Sequence, residues 1–214
     1  MNIKQLSILS AFVFLFFACG DTNHEATEET HEGHDATEET ATADVSYNLS
    51  TETSNVTWKG SMMGMYAHEG NVKLSEGTLT ANAGNITGGS VTIDLSTIEP
   101  TDNNYPEDKP KEKLVGHLSS PDFFDIKEFP TATFVITSAE GTTITGDLTI
   151  KGKTNSETVT DVTVAEENGN ITASGNLKFD RQKYGVSYQV TMKDMVISDE
   201  IELSISLSGS AATL

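Results

Sequence analysis

The chain has 214 residues, 13 basic against 32 acidic ones, and one cysteine. That length holds one large β domain or two small ones. A net charge of −19 excludes a nucleic-acid backbone as a natural partner, because phosphate binding needs a basic surface. A single cysteine excludes both an intrachain disulfide and a multi-cysteine metal site.

Residues 1–19 read as a signal peptide. Lys4 supplies a short positive start, and Leu6 to Phe17 is an apolar run broken only by Ser7 and Ser10. The run suits an export signal and is short of the roughly 20 residues that a membrane-spanning helix needs. It ends in Ala18-Cys19-Gly20, which resembles a bacterial lipoprotein processing site with Cys19 as the lipidated residue. The plainer alternative is an ordinary signal peptide with an incidental cysteine. With lipidation, the mature protein is exported and held at a bacterial membrane, on the periplasmic side or the cell surface, by its acyl chains.

Residues 20–44 form a tether. The segment carries nine acidic residues, no Lys or Arg, and no large apolar side chain. His24-Glu25-Ala26-Thr27-Glu28-Glu29-Thr30 returns as His34-Asp35-Ala36-Thr37-Glu38-Glu39-Thr40. A segment with nothing to bury and much like charge to repel is expected to be disordered. Its simplest use is a spacer. A looser reading makes His24, His31 and His34 a weak metal site, at a high ordering cost.

From Val45 to Leu214 the dominant period is two. Val91, Ile93 and Leu95 alternate with polar neighbours. So do Ala132, Phe134 and Ile136, then Ile144 to Ile150, Ile171 to Phe179, and Ile201 to Leu207. Each run predicts a strand with one dry and one wet face. Glu76-Gly77, Ala83-Gly84-Asn85, Gly88-Gly89, Lys151-Gly152-Lys153 and Asn168-Gly169-Asn170 read as turns between them. Residues 99–124 break the rhythm, with four prolines, a short helix over Lys111–Leu118, and the pair Phe123-Phe124. The class is all-β. A closed barrel and a two-sheet sandwich both satisfy the pattern. Small residues on the dry faces (Ala132, Gly146, Ala173, Gly175) leave room, which favours a cavity.

Catalytic constellations are thin. No phosphate loop, metalloprotease helix or nucleophile elbow is present, so the reading is a non-enzyme that needs no cofactor. Arg181, the single arginine, stands in Asp180-Arg181-Gln182-Lys183-Tyr184-Gly185. Its fork suits an internal carboxylate such as Asp180 or Asp122, or a ligand's anionic head. His117 suits a cavity mouth or a loop cap. His68 suits a backbone contact. Trp58, the single tryptophan, alternates with Val56 and belongs to the core, or to a cavity lining if the core is hollow.

In order along the chain, Val56-Thr57-Trp58-Lys59-Gly60, Gly88-Gly89-Ser90-Val91-Thr92-Ile93, Leu114-Val115-Gly116-His117-Leu118-Ser119-Ser120-Pro121-Asp122-Phe123-Phe124, Gly146-Asp147-Leu148-Thr149-Ile150 and Asp180-Arg181-Gln182-Lys183-Tyr184-Gly185 resemble the YceI-like family of lipocalin-like, polyisoprenoid-binding proteins. The resemblance covers about residues 46–210. It implies an eight-stranded antiparallel barrel with one short helix in a long loop, wide enough for one small ligand. It also implies a long-chain lipid or isoprenoid as partner, of isoprenoid or fatty amide type, carried or sensed at the membrane. On that reading Trp58, Phe123, Phe124, Phe134, Leu148, Ile150 and Phe179 line the lipid site. His117 and Arg181 stand at its mouth or in the frame that shapes it. The competing class is a packed sandwich whose outer surface binds glycan or protein. Oligomeric state is open, a homodimer among the options.

Overall fold

The computed structural model describes residues 43–63, 66–190 and 196–213. The signal segment, Cys19 and residues 20–42 of the acidic segment, with His24, His31 and His34, lie outside the described residues.

Among the described residues there are nine strands: β1 (Val45–Leu49), β2 (Asn55–Met63), β3 (Tyr66–Asn82), β4 (Asn85–Pro100), β5 (Thr131–Glu140), β6 (Thr143–Ile150), β7 (Lys153–Glu167), β8 (Asn170–Asp180) and β9 (Val196–Ala211). All pairings are antiparallel. They run from β3 through β4, β5, β6, β7, β8 and β9 to β2, which pairs back onto β3. The first strand lies between the far ends of β3 and β9, with Tyr47 opposite Leu79 on one side and Ala211 on the other. It shares that slot with β2. Together they form one stave interrupted at residues 50–54, and the closed barrel has eight staves. Closure leaves no free edge to template aggregation.

Period-two patterning decides which side chains enter. Along β8 the exposure pattern alternates without exception from Asn170 to Phe179, with Ile171, Ala173, Gly175, Leu177 and Phe179 buried. Turn chemistry sets the register of three hairpins. Ala83-Gly84, Lys151-Gly152 and Asn168-Gly169 all have positive φ at both residues, the handedness that two-residue hairpin turns require.

Two expected turns are absent. Glu76-Gly77 and Gly88-Gly89 lie inside the 17-residue β3 and the 16-residue β4. Glycine serves close approach there. A Cβ on Gly89 would stand 2.4 Å from the Thr78 carbonyl oxygen, and one on Gly77 2.7 Å from Leu49. The ladder between these strands slips at Leu74/Glu76 and at Thr80/Ala81, so the glycines mark bulged, strongly curved strands rather than their ends.

The long connection 101–130 holds the one helix among the described residues, α1 (Lys111–Ser119). Pro110 precedes it, where a missing N–H costs nothing. Leu118 is its buried anchor. A 3₁₀ turn over Arg181–Tyr184 follows β8. Both features sit at the same end of the barrel, called the mouth below. The turns at 83–84, 141–142 and 168–169 close the opposite, hairpin end.

Candidate functional site: an apolar lumen and its mouth

Inside the barrel lies a cavity of about 110 Å³. Every stave contributes to its wall: Val56, Leu79, Val91, Phe134, Leu148, Val159, Leu177 and Ile205 are one residue from each. No polar atom faces it. The volume is several times the roughly 10–15 Å³ that a single water needs. An all-apolar void of this kind stays dry and accepts hydrocarbon. It is smaller than the roughly 300–1,000 Å³ of ordinary ligand pockets.

Several inward residues, including Val91, Ile93, Phe134, Leu203 and Ile205, are only partly buried although they point inward. They pack against the core cluster and at the same time line the void. The small residues expected to create that room do so only in part. Above Gly146, the Phe134 ring stands where a Cβ would go, 2.4 Å from its built position. Above Gly175, Val159 and Val162 do the same at 2.7 and 3.4 Å. Glycine here lets neighbours lean in. Ala132 and Ala173 do line the cavity.

Of the residues singled out from sequence, Phe134 and Leu148 line the void. Ile150 and Phe179 are buried in the same core but closer to the mouth. Phe179 meets the ring of Tyr184 edge-on at 5.4 Å. Tyr184 is fully buried and donates its hydroxyl to Glu157 Oε1 at 3.0 Å. Burial and then the Glu157 carboxylate push the Tyr184 phenol well above its ordinary range. Phe124 packs against the core from the 101–130 connection.

Phe123 instead joins an aromatic cluster with His117 and Tyr188. The His117 ring meets Phe123 at 4.8 Å and Tyr188 at 4.4 Å, both edge-on. Trp58 packs at the mouth side of the core, opposite Gly70 on β3.

Arg181 is 2% exposed. Its partner is neither Asp180 nor Asp122 but Asp199, which accepts from Nη2 at 2.9 Å. Nη1 donates to the carbonyls of Val186 and Tyr188, and Nε to that of Ser198. The planar fork thus ties the segment after the 3₁₀ turn to the start of β9, and through Tyr188 it steadies the aromatic cluster.

His68 corrects the expected backbone contact. Its Nδ1 faces the Asp102 carboxylate at 3.2 Å. Asp102 also accepts from Glu69 N, Asn104 N and the Tyr105 hydroxyl. Burial alone would raise this carboxyl, but the donors outweigh it and hold it below the usual carboxylate range. No sequence signal near His68 pointed to a partner 34 residues away.

Among the described residues no group of three or more His, Cys, Asp or Glu is placed to hold a metal ion. No helix among them is long and apolar enough to cross a membrane.

A closed antiparallel meander, greasy inside, with a helix-bearing connection over one mouth, defines a lipocalin-like barrel. The YceI-like domain model matches residues 47–209, and the chain belongs to that family. Curated relatives include a UPF0312 protein of Pseudomonas putida (strain W619), 33% identical over 104 residues, 46% of this chain and 50% of that one. Another UPF0312 protein, from Staphylococcus aureus (strain USA300), is 34% identical over 135 residues, covering 53% of this chain and 75% of its own. The chain spans about half the length of the first of these relatives.

Among solved structures, BcnA of Burkholderia cenocepacia superposes with a TM-score of 0.61 at 27% identity, over 77% of this chain and 99% of that one. A polyisoprenoid binding domain from Saccharophagus degradans, implicated in plant cell wall breakdown, superposes with a TM-score of 0.51 at 13% identity, over 78% and 99%. The latter likeness speaks to the fold alone.

Proposed function

We propose that this protein is a non-catalytic lipid binder that takes one long apolar chain, of isoprenoid or fatty amide type, into the barrel. In this reading it works as a carrier or sensor held at a bacterial membrane through Cys19, with the acidic segment as spacer. The observation that carries the reading is the cavity walled by all eight staves with no polar atom facing it. Such a wall has little use for water or a polar solute, whereas moving a hydrocarbon chain into it gains roughly 25 cal/mol per Å² removed from water. A structural neighbour of the same fold is a polyisoprenoid binding domain, so the ligand class proposed here is one this fold is used for, while the cavity carries the reading for this chain.

The cavity is too short for a whole long chain. Binding a whole chain therefore requires neighbouring side chains to part, among them Phe134, which lines the cavity and stands over Gly146. The test is native mass spectrometry of protein purified without delipidation, followed by lipid extraction. One co-extracted chain per protein is the expected result. A clean ligand-free spectrum, together with no uptake of long-chain alcohols, overturns the reading.

A further inference from the structure

The apolar lumen does not account for a polar set just above it. Along β3, Gly70 and Val72 are buried and His68 lies on the same inward face. Trp58 is opposite Gly70, and Gly60 is opposite His68. Trp58 and His68 are therefore diagonal neighbours on one face, with side-chain roots about 7 Å apart. Two residues below Trp58 on the same face is Val56, which lines the cavity. The pair thus stands between the dry void and the rim.

Each of the two presents one unused polar atom. Trp58 Nε1 is buried and has no hydrogen-bond partner; among the described residues it is the one side-chain nitrogen or oxygen in that condition. Buried indole N–H groups usually find a partner. The edge of the ring that carries it leans toward β3, because Cζ2, bonded to the same carbon as Nε1, lies 2.7 Å from where a Cβ on Gly70 would be.

His68 is clamped. Tyr105 stacks on its ring at 5.0 Å, Tyr66 meets it edge-on at 5.1 Å, and Asp102 takes Nδ1. Its side chain is 20% exposed. With an ionised carboxylate on Nδ1, the neutral ring carries its proton there and offers Nε2 as an acceptor. No contact of the described residues uses Nε2.

We propose that Trp58 Nε1 and His68 Nε2 seat the polar end of the bound chain, and that this end is an uncharged group that both accepts and donates a hydrogen bond, a terminal hydroxyl being the simplest. A hydroxyl accepts from the indole N–H and donates to the imidazole. An ester meets only the indole. A carboxylate or phosphate meets the indole but faces the Asp102 charge through the ring, in a chain of net charge −19. Buried polar groups left unpaired by the wrong ligand are what make such a seat selective. The tail then points down into the cavity, away from the mouth.

This proposal rests on the lipid-binding reading, and one experiment separates the two. The delipidated full chain is titrated with hexadecanol, methyl palmitate, palmitate and hexadecane, and occupancy is read by native mass spectrometry. Hexadecanol is expected to bind at least tenfold more tightly than the other three. Trp58→Phe and His68→Phe each keep an aromatic ring in place. Each is expected to reduce that preference to less than twofold, read as the ratio of hexadecanol to hexadecane binding by the same variant. As a readout that a merely structural role would not move, the Nε2 nitrogen resonance of His68 shifts on adding hexadecanol and not on adding hexadecane.

Should one variant fail to fold, the other variant and the resonance decide. Uptake of all four chains without preference, preference for palmitate, or an unmoved resonance overturns the seat and leaves the lipid reading standing. Uptake of none overturns both.

Discussion

Replacing Ala173 with leucine separates a hollow interior from a filled one by the sign of its effect. Ala173 is on β8, points inward, is 7% exposed and lines the cavity. Leucine adds three carbons. If the 110 Å³ space receives them, they leave water without displacing neighbours, and at about 0.8 kcal/mol per buried CH₂ the gain is about 2.4 kcal/mol. In a solid core the same carbons force neighbours off their rotamers and cost about 1–3 kcal/mol. Urea unfolding of the delipidated protein reads the difference directly. At a typical slope near 2 kcal/mol per molar, the midpoint rises by about 1 M in the hollow case. It falls by a similar amount in the packed one. The leucine also takes space the ligand needs, so hexadecanol uptake should drop at least fivefold while stability rises. A lowered midpoint with unchanged uptake would refute the claim that the interior is an open lumen.

Gly146→Ala places a methyl 2.4 Å from the Phe134 ring and 2.6 Å from the Val135 carbonyl oxygen, and should lower stability by about 1–3 kcal/mol in a thermal or urea melt. A neutral result means the Phe134 ring is not seated over that glycine. Arg181→Met leaves the carbonyls of Val186, Tyr188 and Ser198 without their donor, at a cost of about 2–4 kcal/mol, with the NMR resonances of Val186 to Tyr188 broadening first. The Tyr184 phenol is raised, first by burial and then by Glu157. Its contribution is therefore complete below the ordinary tyrosine value of about 10 and is lost as pH climbs toward the folded value. In an ultraviolet titration Tyr184 should ionise late, as should Tyr105 beside Asp102, and Glu157→Gln should bring the Tyr184 step to lower pH.

Local chemistry was legible in the sequence where it repeats over a few residues. The alternation from Ile171 to Phe179 named the inward face of β8 residue by residue. It did the same for Phe134 and Leu148, because a strand's side chains change face at every step. Ala83-Gly84 and Asn168-Gly169 announced their hairpins through glycine and asparagine, and both residues of each pair take positive φ. Glu76-Gly77 and Gly88-Gly89 misled, since glycine serves bulges and close backbone approach as readily as turns, and composition does not separate these uses. Closure was not legible in the strand pattern alone. It depends on β1 and β2 sharing one slot between β3 and β9, a long-range register that no short window contains. The partners of the two polar anchors were hidden for the same reason. Asp102 reaches His68 across 34 residues from an irregular connection, and Asp199 reaches Arg181 across 18 from the first residues of β9, ahead of the alternation that begins at Ile201.

Those two anchors explain why the barrel is hollow toward the hairpin end and full toward the mouth. At the hairpin end the inward residues are aliphatic apart from Tyr47, whose hydroxyl reaches Glu166 on β7, and among the described residues no segment outside the strands folds in to fill the middle. At the mouth the chain returns twice. The 101–130 connection brings Phe124 and Leu118 to the core, and the 3₁₀ turn brings Tyr184. Asp102 fastens the first return to β3 through Glu69 N and His68, with Thr101 N bonding Glu69 O at 2.8 Å and Asn104 Nδ2 bonding Ala67 O at 3.2 Å. Arg181 fastens the second return to β9. On the proposed reading a chain that enters from the mouth passes between two pinned loops, and its head comes to rest across the His68 ring from the carboxylate that pins one of them. Loosening Asp102 should therefore alter both the rate of entry and the choice of head, whereas loosening Arg181 should alter the rate alone, since its donors face backbone and Asp199 and none is turned toward the lumen.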